Sequence, residues 1–488
     1  MAAKLTSTVL KALGVFGGVQ GINILAGIVR TKCAALWIGS EGVGIIALFV
    51  QTIMTLSYLS QLSLRQSAVR DLSPLASAPE SPEARTMAFT ARRLSLWLGI
   101  AGMILTIALA PDLSRWTFGS EHYAWSFRVL SLTLLATSLT GADNAILQSF
   151  GLLKKLAKAN VYGSVGGTAL LAASLFIWRM DGITGALLGL PVCLWFFSFI
   201  ASKGIPSPPD PRPSVRRVIS RGRGMLTLGI YLTITDFITQ FSSYIFSIYL
   251  NREASTADVG IYQSGFTMVN QYVGVIFTAI TMEFYPRLST RIKQRRLTAV
   301  LVSHEIAVAL WVLMPVAVLF VCFDELMVRI LYSDAFLAML PFISLAIAGV
   351  VFRAVSWCMA YVILAKGDGK IYMLTEALSA ATMLALYTTA WPTLGFTGLG
   401  IAYILWYGAY AAIVYLVFRF RYGMHLGRGI PMLIGIATLV CGGASLARFA
   451  IGPLWTGVIF LPWLIPLCLN KLGLAGKLGL SITKRWQK

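Results

Sequence analysis

Apolar runs of about twenty to thirty residues recur from one end of the chain to the other, separated by short polar stretches. Such runs match the thickness of a bilayer's hydrocarbon core. Backbone polar groups find no water there, so each run predicts a helix. The pattern predicts spans near 9–30, 42–63, 94–111, 128–150, 160–178, 183–201, 225–250, 260–284, 298–322, 336–364, 372–390, 396–418, 430–448 and 454–470. The fold class is therefore all-α, a polytopic membrane protein of about fourteen transmembrane helices. Lys4 and Lys11 precede an apolar run that reaches Val29 without a cleavage site, which predicts an uncleaved first helix.

One polar stretch differs from the rest. Gly204-Ile-Pro-Ser-Pro-Pro-Asp-Pro-Arg-Pro213 holds five prolines in ten residues, which helix interior does not accept, and Arg216, Arg217, Arg221 and Arg223 follow. Read as a cytoplasmic linker over 204–223, it separates an N-terminal six-helix lobe (1–203) from a C-terminal one (224–420). Two additional helices and a basic tail fill 421–488. The lobes carry traces of duplication. Val43-Gly44-Ile45 recurs as Val259-Gly260-Ile261, and Gly151 and Lys154 recur as Gly367 and Lys370, at an offset of 216. Gly182-Ile-Thr-Gly185 recurs as Gly395-Phe-Thr-Gly398, and Ser120-Glu121 as Ser333-Asp334, at an offset of 213. Six spans per lobe make the repeat parallel, and a central cavity between two such lobes suits an alternating-access transporter. A static scaffold is the competing reading.

Composition agrees. Charged residues are 12% of the chain, against about 25% in soluble domains. The net charge of +21 suggests nucleic acid until the positions are read. Of the 40 Lys and Arg, 31 fall in the N-terminus, the even-numbered loops and the tail, and eight on the opposite side. That asymmetry is the positive-inside rule. It places both termini in the cytoplasm and sets the basic loops against anionic lipid, with no nucleic-acid partner. Six scattered cysteines without a CxxC pair and three distant histidines predict neither a metal site nor a cofactor. The P-loop pattern is absent, and nothing in the sequence marks an enzyme.

Ionisable groups inside spans are costly and mark candidate sites. Asp236 lies halfway along the seventh span, with Thr233 and Gln240 on the same stripe. A proton- or sodium-linked carboxylate and a structural Asp both fit. Arg353 lies deep in the tenth span; it suits bidentate phosphate binding, or else pairs with Asp236 or Asp143. Arg30 and Lys32 end the first span and Arg128 opens the fourth, where snorkelling to the outer headgroups is the plain reading. Asp143, Asn144 and Gln148 form a polar patch, and Asn270 and Gln271 lie in the eighth span; such groups suit sugar hydroxyls or hold helices together.

Gly27-Ile-Val-Arg30, Ala34-Ala-Leu-Trp-Ile-Gly39, Gly42-Val-Gly-Ile45 and Ala279-Ile-Thr-Met-Glu-Phe-Tyr-Pro-Arg-Leu-Ser289 resemble segments of bacterial polysaccharide flippases. These belong to the multidrug/oligosaccharidyl-lipid/polysaccharide exporter superfamily. Within it the chain looks most like an O-antigen or related translocase. The resemblance implies transfer of an undecaprenyl-diphosphate-linked oligosaccharide from the cytoplasmic to the periplasmic leaflet of the bacterial inner membrane. It also implies a cationic cavity, with a polysaccharide polymerase and a chain-length regulator as partners. Arg30 occupies the position of a substrate-cavity Arg in lipid II flippases. Thr31 departs from their Asp, and Thr267 falls where they carry an Arg. Fourteen spans is the lipid II count, whereas O-antigen translocases more often have twelve. The substrate-binding candidates are then Arg30, Lys32, Arg128, Arg353, Asn144, Gln148 and Asn270, with Asp236 and Asp143 as coupling-ion candidates. The rivals are a drug/cation antiporter of the same superfamily, which wants a carboxylate-dominated cavity, and a membrane-embedded glycan polymerase or ligase, which usually carries a large periplasmic loop.

Overall fold

The computed structural model describes residues 21–207, 209 and 213–472; within two helices, the side chains at 227–229, 231–232, 271–273, 275–276, 278–283 and 285–286 are also outside the description. The start of the expected first span, part of the proline-rich linker, the basic tail, the Gln271 side chain and much of the 279–289 motif therefore lie outside it.

All elements among the described residues are helical. They are α1 (21–37), α2 (Gly39–Gln61), α3 (Leu64–Leu72), α4 (Pro82–Ala108), α5 (Ala110–Phe118), α6 (Ala124–Ser149), α7 (Leu153–Trp178), α8 (Ile183–Ser202), α9 (Val215–Glu253), α10 (Thr256–Arg291), α11 (Arg295–Leu331), α12 (Leu340–Ala365), α13 (Gly369–Leu416), α14 (Ile430–Ile451) and α15 (Pro453–Lys471). Each expected span from the second to the fourteenth falls on one of these helices. α13 carries two, because Gly395 breaks it with φ 54° and ψ −133°. The short α3 and α5 were not expected; each is a nine-residue helix with a low apolar content.

By contact, the chain forms two compact units: Met1–Gly260 with Leu331–Ser333, and Ile261–Ile330 with Asp334–Lys488. α9 packs on α2, α3 and α4 and so belongs to the first unit. The contact boundary thus lies at Gly260, past the 204–223 linker. The first unit has an aromatic centre, with Phe49 meeting Phe118, Tyr123 and Phe127 at ring distances of 5.1, 5.6 and 5.0 Å. In the second unit α12 is the central helix. Its apolar residues run all round the helix, and those from Phe342 to Val351 are buried in an unbroken row, as a fully enclosed helix requires.

The duplication appears in backbone detail. α6 and α12 end alike. Gly151 and Gly367 have φ of 69° and 72°, the left-handed region where glycine carries no Cβ penalty. The amide of Leu152 donates to Leu147 O and that of Asp368 to Ile363 O, again 216 residues apart. One expected match needs correction. The turn after α7 has Arg179 at φ 49°, ψ −122°, and its counterpart is Gly395, an offset of 216. A Cβ on Gly182 would meet Ser174 O at 2.3 Å, and one on Gly398 would meet Ala390 O at 2.4 Å. Gly182 therefore corresponds to Gly398, not Gly395; steric need, rather than the letters flanking it, sets the register.

Gly44 and Gly260, themselves related by 216, pack against each other. A Cβ on Gly44 would lie 1.8 Å from Thr256 O, and one on Gly260 would lie 2.2 Å from Ser40 O. Both obstacles are backbone, so the helices must separate. Gly44→Ala and Gly260→Ala should each lower stability by about 1–3 kcal/mol. A lowered thermal midpoint of the detergent-solubilised protein checks this, with Gly435→Ala, whose Cβ meets nothing within 4 Å, as the neutral control.

Candidate functional site

α12 carries Arg353, part-buried, within the second unit. The guanidinium donates from Nη1 to Asn270 Oδ1 on α10. Asn270 is held in turn by its own Nδ2, which donates to Phe266 O at 2.7 Å. The guanidinium also lies over two rings, Phe277 at 5.4 Å and Tyr407 at 5.6 Å. Phe277 stacks on Trp357 at 4.9 Å, and Trp357 meets Tyr361 edge-on at 4.7 Å. These groups border a cavity of about 210 Å³, lined by Arg353, Ser356, Trp357, Tyr361, Tyr372, Glu376, Tyr407 and Tyr410, among others. Glu376 lies in that wall and accepts from the Tyr410 hydroxyl.

In the first unit Arg30 reaches from α1 to hydroxyls on α7, with Nη1 2.9 Å from Thr168 Oγ1 and 3.5 Å from Ser164 Oγ. Lys32 donates to the Tyr332 carbonyl. Arg128 is exposed at the start of α6, as a snorkelling residue would be, and Gln148 is exposed near its end.

Two other arginines make a contrast. Arg92 donates from Nε to Asp143 Oδ1 at 3.1 Å, and from Nη2 to Ser202 O, Ser202 Oγ and Ile205 O. Ser202 Oγ donates to Asp143 at 2.7 Å, and Ser198 to Asn144 Oδ1 at 3.1 Å. Asp143 and Asn144 thus join α6 to α4, α8 and the start of the linker. In the second unit Arg448 grips Asp324 with both arms of its fork, at 2.6 and 3.0 Å, and Ser344 also donates to that carboxylate. The Asp324 side chain is 0% exposed and that of Arg448 is 10% exposed. This clasp ties α14 to α11 and α12.

Arg92 and Arg448 are neutralised by carboxylates. Arg30 and Arg353 rest instead on hydroxyl, amide and ring partners, and neither forms an ion pair among the described residues. Neutral acceptors orient a guanidinium without cancelling its charge, which leaves it able to take an anion.

Asp236 is exposed on the first unit, with the Tyr58 phenol within its electrostatic reach. Of its expected stripe only Thr233 is buried, where its hydroxyl lies 3.2 Å from that of Ser63. Outside the spans, Asp368 is held below the usual carboxylate range by its hydrogen bond from Arg421. Glu80 is likewise lowered, first by the Ser207 hydroxyl and also by Arg85.

The aromatic wall around Arg353 was missed in the sequence. The signal was present: Tyr403, Trp406, Tyr407 and Tyr410 recur at helical spacing on one face of α13.

The polysaccharide biosynthesis protein family matches residues 44–341. Among curated proteins, the lipid III flippases of Escherichia coli (strain K12) and Shigella flexneri are each 23% identical over 414 residues, covering 82% of this chain and 96% of theirs. Among solved structures, an inward-facing multidrug resistance MATE family transporter of the MOP superfamily superposes with a TM-score of 0.71 at 14% identity, over 82% of this chain and 94% of that one. The lipid II flippase MurJ in an inward closed conformation superposes with a TM-score of 0.70 at 12% identity, over 94% and 99%. These likenesses establish the fold alone, that of a multi-pass helical membrane protein. The family match spans more than half of the sequence, so the chain belongs to the polysaccharide biosynthesis protein family.

Proposed function

We propose that the protein is a flippase. It carries an undecaprenyl-diphosphate-linked oligosaccharide from the cytoplasmic to the periplasmic leaflet of the inner membrane by alternating access. The observation that carries this reading is Arg353: a part-buried guanidinium in the second unit, bonded to Asn270, with no carboxylate partner among the described residues and open to a cavity. Such a charge is expensive in a membrane unless it meets an anion in the working cycle. A diphosphate supplies that anion. The rings of Trp357, Tyr361, Tyr407 and Tyr410 and the hydroxyls beside them suit a glycan, with apolar faces and polar edges. The flippase names of the curated relatives support the same substrate class.

Arg30 is a separate candidate cation in the first unit, oriented by Thr168 and Ser164. Asp236 is the candidate for proton or sodium coupling; Asp143, paired with Arg92, serves the packing of the first unit. Both termini are placed in the cytoplasm by the charge of the loops. An antiporter of organic cations would want acids unopposed in the cavity. Among the described residues of the lining the acid is Glu376, which accepts a hydrogen bond from Tyr410.

The test is a translocation assay in proteoliposomes with a fluorescent undecaprenyl-diphosphate oligosaccharide. Arg30→Ala should reduce the initial rate by about tenfold or more, the loss of one charge-assisted hydrogen bond of about 1.5–3 kcal/mol. Arg128→Ala, which alters an exposed position, should leave the rate within about twofold. Equal rates in wild type and Arg30→Ala would remove Arg30 as a functional cation. No translocation by the wild-type protein would sink the flippase reading.

A further inference from the structure

A second cationic cavity lies away from Arg353, at the basic-loop end of the second unit. Its volume is about 450 Å³. The lining comes from the start of α11 (Arg295, Arg296, Ala299, Val300, Ser303) and from the segment 423–427, which follows the last turn of α13 and includes Met424 and His425. The two walls are pinned together, since the Gly427 amide donates to Ser303 Oγ at 2.9 Å. The start of α11 is pinned as well, with Thr298 Oγ1 donating to Arg291 O at 2.9 Å.

The repeat supplies an internal comparison. The topologically equivalent place in the first unit joins the start of α4 to the segment after α8. It forms a cavity of about 210 Å³ lined by Arg85, Phe89, Arg92, Arg93, Pro206, Ser207 and Pro209, among others. There the chain provides its own anions: Asp143 holds Arg92 at 3.1 Å and Glu80 holds Arg85 at 3.0 Å. In the second unit the cavity is larger, and among the described residues neither Arg295 nor Arg296 forms an ion pair with a carboxylate. The cationic character is kept while the internal anions are gone. The walls are also apolar: Val300 is 60% exposed, and Leu297, one turn back on α11, is 42% exposed.

We propose that this cavity binds the phosphate headgroup of an anionic membrane lipid. Arg295 and Arg296 take the phosphate, for which guanidinium is the better-matched cation. Val300 and Ala299 receive the start of an acyl or polyprenyl chain, and the pinned 423–427 segment closes the far wall. The site is independent of the translocation site at Arg353, and its chemistry holds whether or not the protein is a flippase.

The experiment counts lipids bound to the detergent-solubilised full chain by native mass spectrometry during titration with phosphatidylglycerol, phosphatidylcholine or undecaprenyl diphosphate. Each Arg near a membrane surface contributes about 1 kcal/mol to holding an anionic lipid, roughly fivefold in affinity. The double variant Arg295→Gln/Arg296→Gln should therefore bind phosphatidylglycerol about thirtyfold more weakly than wild type. The paired control Arg85→Gln/Arg93→Gln should bind it as wild type does. A larger loss of affinity for phosphatidylglycerol than for undecaprenyl diphosphate in the Arg295→Gln/Arg296→Gln variant assigns the site to resident lipid; the reverse assigns it to a polyprenyl headgroup. Unchanged affinity in the Arg295/Arg296 double variant, or phosphatidylcholine bound as tightly as phosphatidylglycerol, overturns the proposal. No transport is read, so failure here leaves the Arg353 reading untouched.

Discussion

Replacing Arg353 with glutamine should lower translocation by about a hundredfold or more while the protein still folds and inserts. A guanidinium bound to a diphosphate makes two charge-assisted hydrogen bonds, each of about 1.5–3 kcal/mol. Losing both corresponds to a factor of a hundred or beyond. Glutamine retains a donor toward Asn270 Oδ1 and the bulk beneath Phe277 and Tyr407, so the packing of α12 survives. Arg353→Lys should fall between the two, because an ammonium keeps the charge but not the fork. Initial rates in proteoliposomes, set beside thermal midpoints for the same variants, check this. A large fall in rate with an unchanged midpoint is the expected pair of results; parallel losses in both would make Arg353 a structural residue.

Arg448→Ala should have the opposite signature, a large loss of stability through a site remote in sequence from Arg353. The Asp324 side chain is fully buried and its two oxygens are engaged by Arg448 and Ser344. Removing the arginine leaves that carboxylate enclosed without its counter-ion, which costs about 3–5 kcal/mol. Replacing both partners with apolar residues of similar size, Asp324→Leu with Arg448→Met, should restore most of that loss, because no charge then remains to be solvated. Thermal unfolding of the single and double variants in detergent measures both effects. A double variant as unstable as Arg448→Ala would contradict the electrostatic account.

These two arginines also show how far a sequence reading reaches. The apolar runs from the second to the fourteenth fall on helices, since bilayer thickness imposes their length whatever packs beside them. Arg353 stands out for the same reason, as a charge in an otherwise apolar run. Arg448 did not stand out. The apolar run of α11 weakens near Cys322, and the helix continues through Asp324 to Leu331, so a carboxylate expected in a loop is enclosed by α12 and α14 instead. Asp143 read as a candidate site because its partner Arg92 lies 51 residues away, on a helix whose proximity only tertiary packing decides. The placement of α9 in the first unit has the same origin: its contacts with α2, α3 and α4 come from side-chain fit that no local pattern records. At Gly182 and Gly398 the backbone need for a missing Cβ gives the repeat register, and neighbouring letters mislead.

Binding measured without turnover tests the central claim most directly, since it isolates the recognition step. Undecaprenyl diphosphate titrated into the solubilised protein by calorimetry should bind wild type and Arg128→Ala with similar affinity. It should bind Arg353→Gln at least about a hundredfold more weakly. Equal affinities for wild type and Arg353→Gln would contradict the account, because the Arg353 guanidinium would then have no anion to meet.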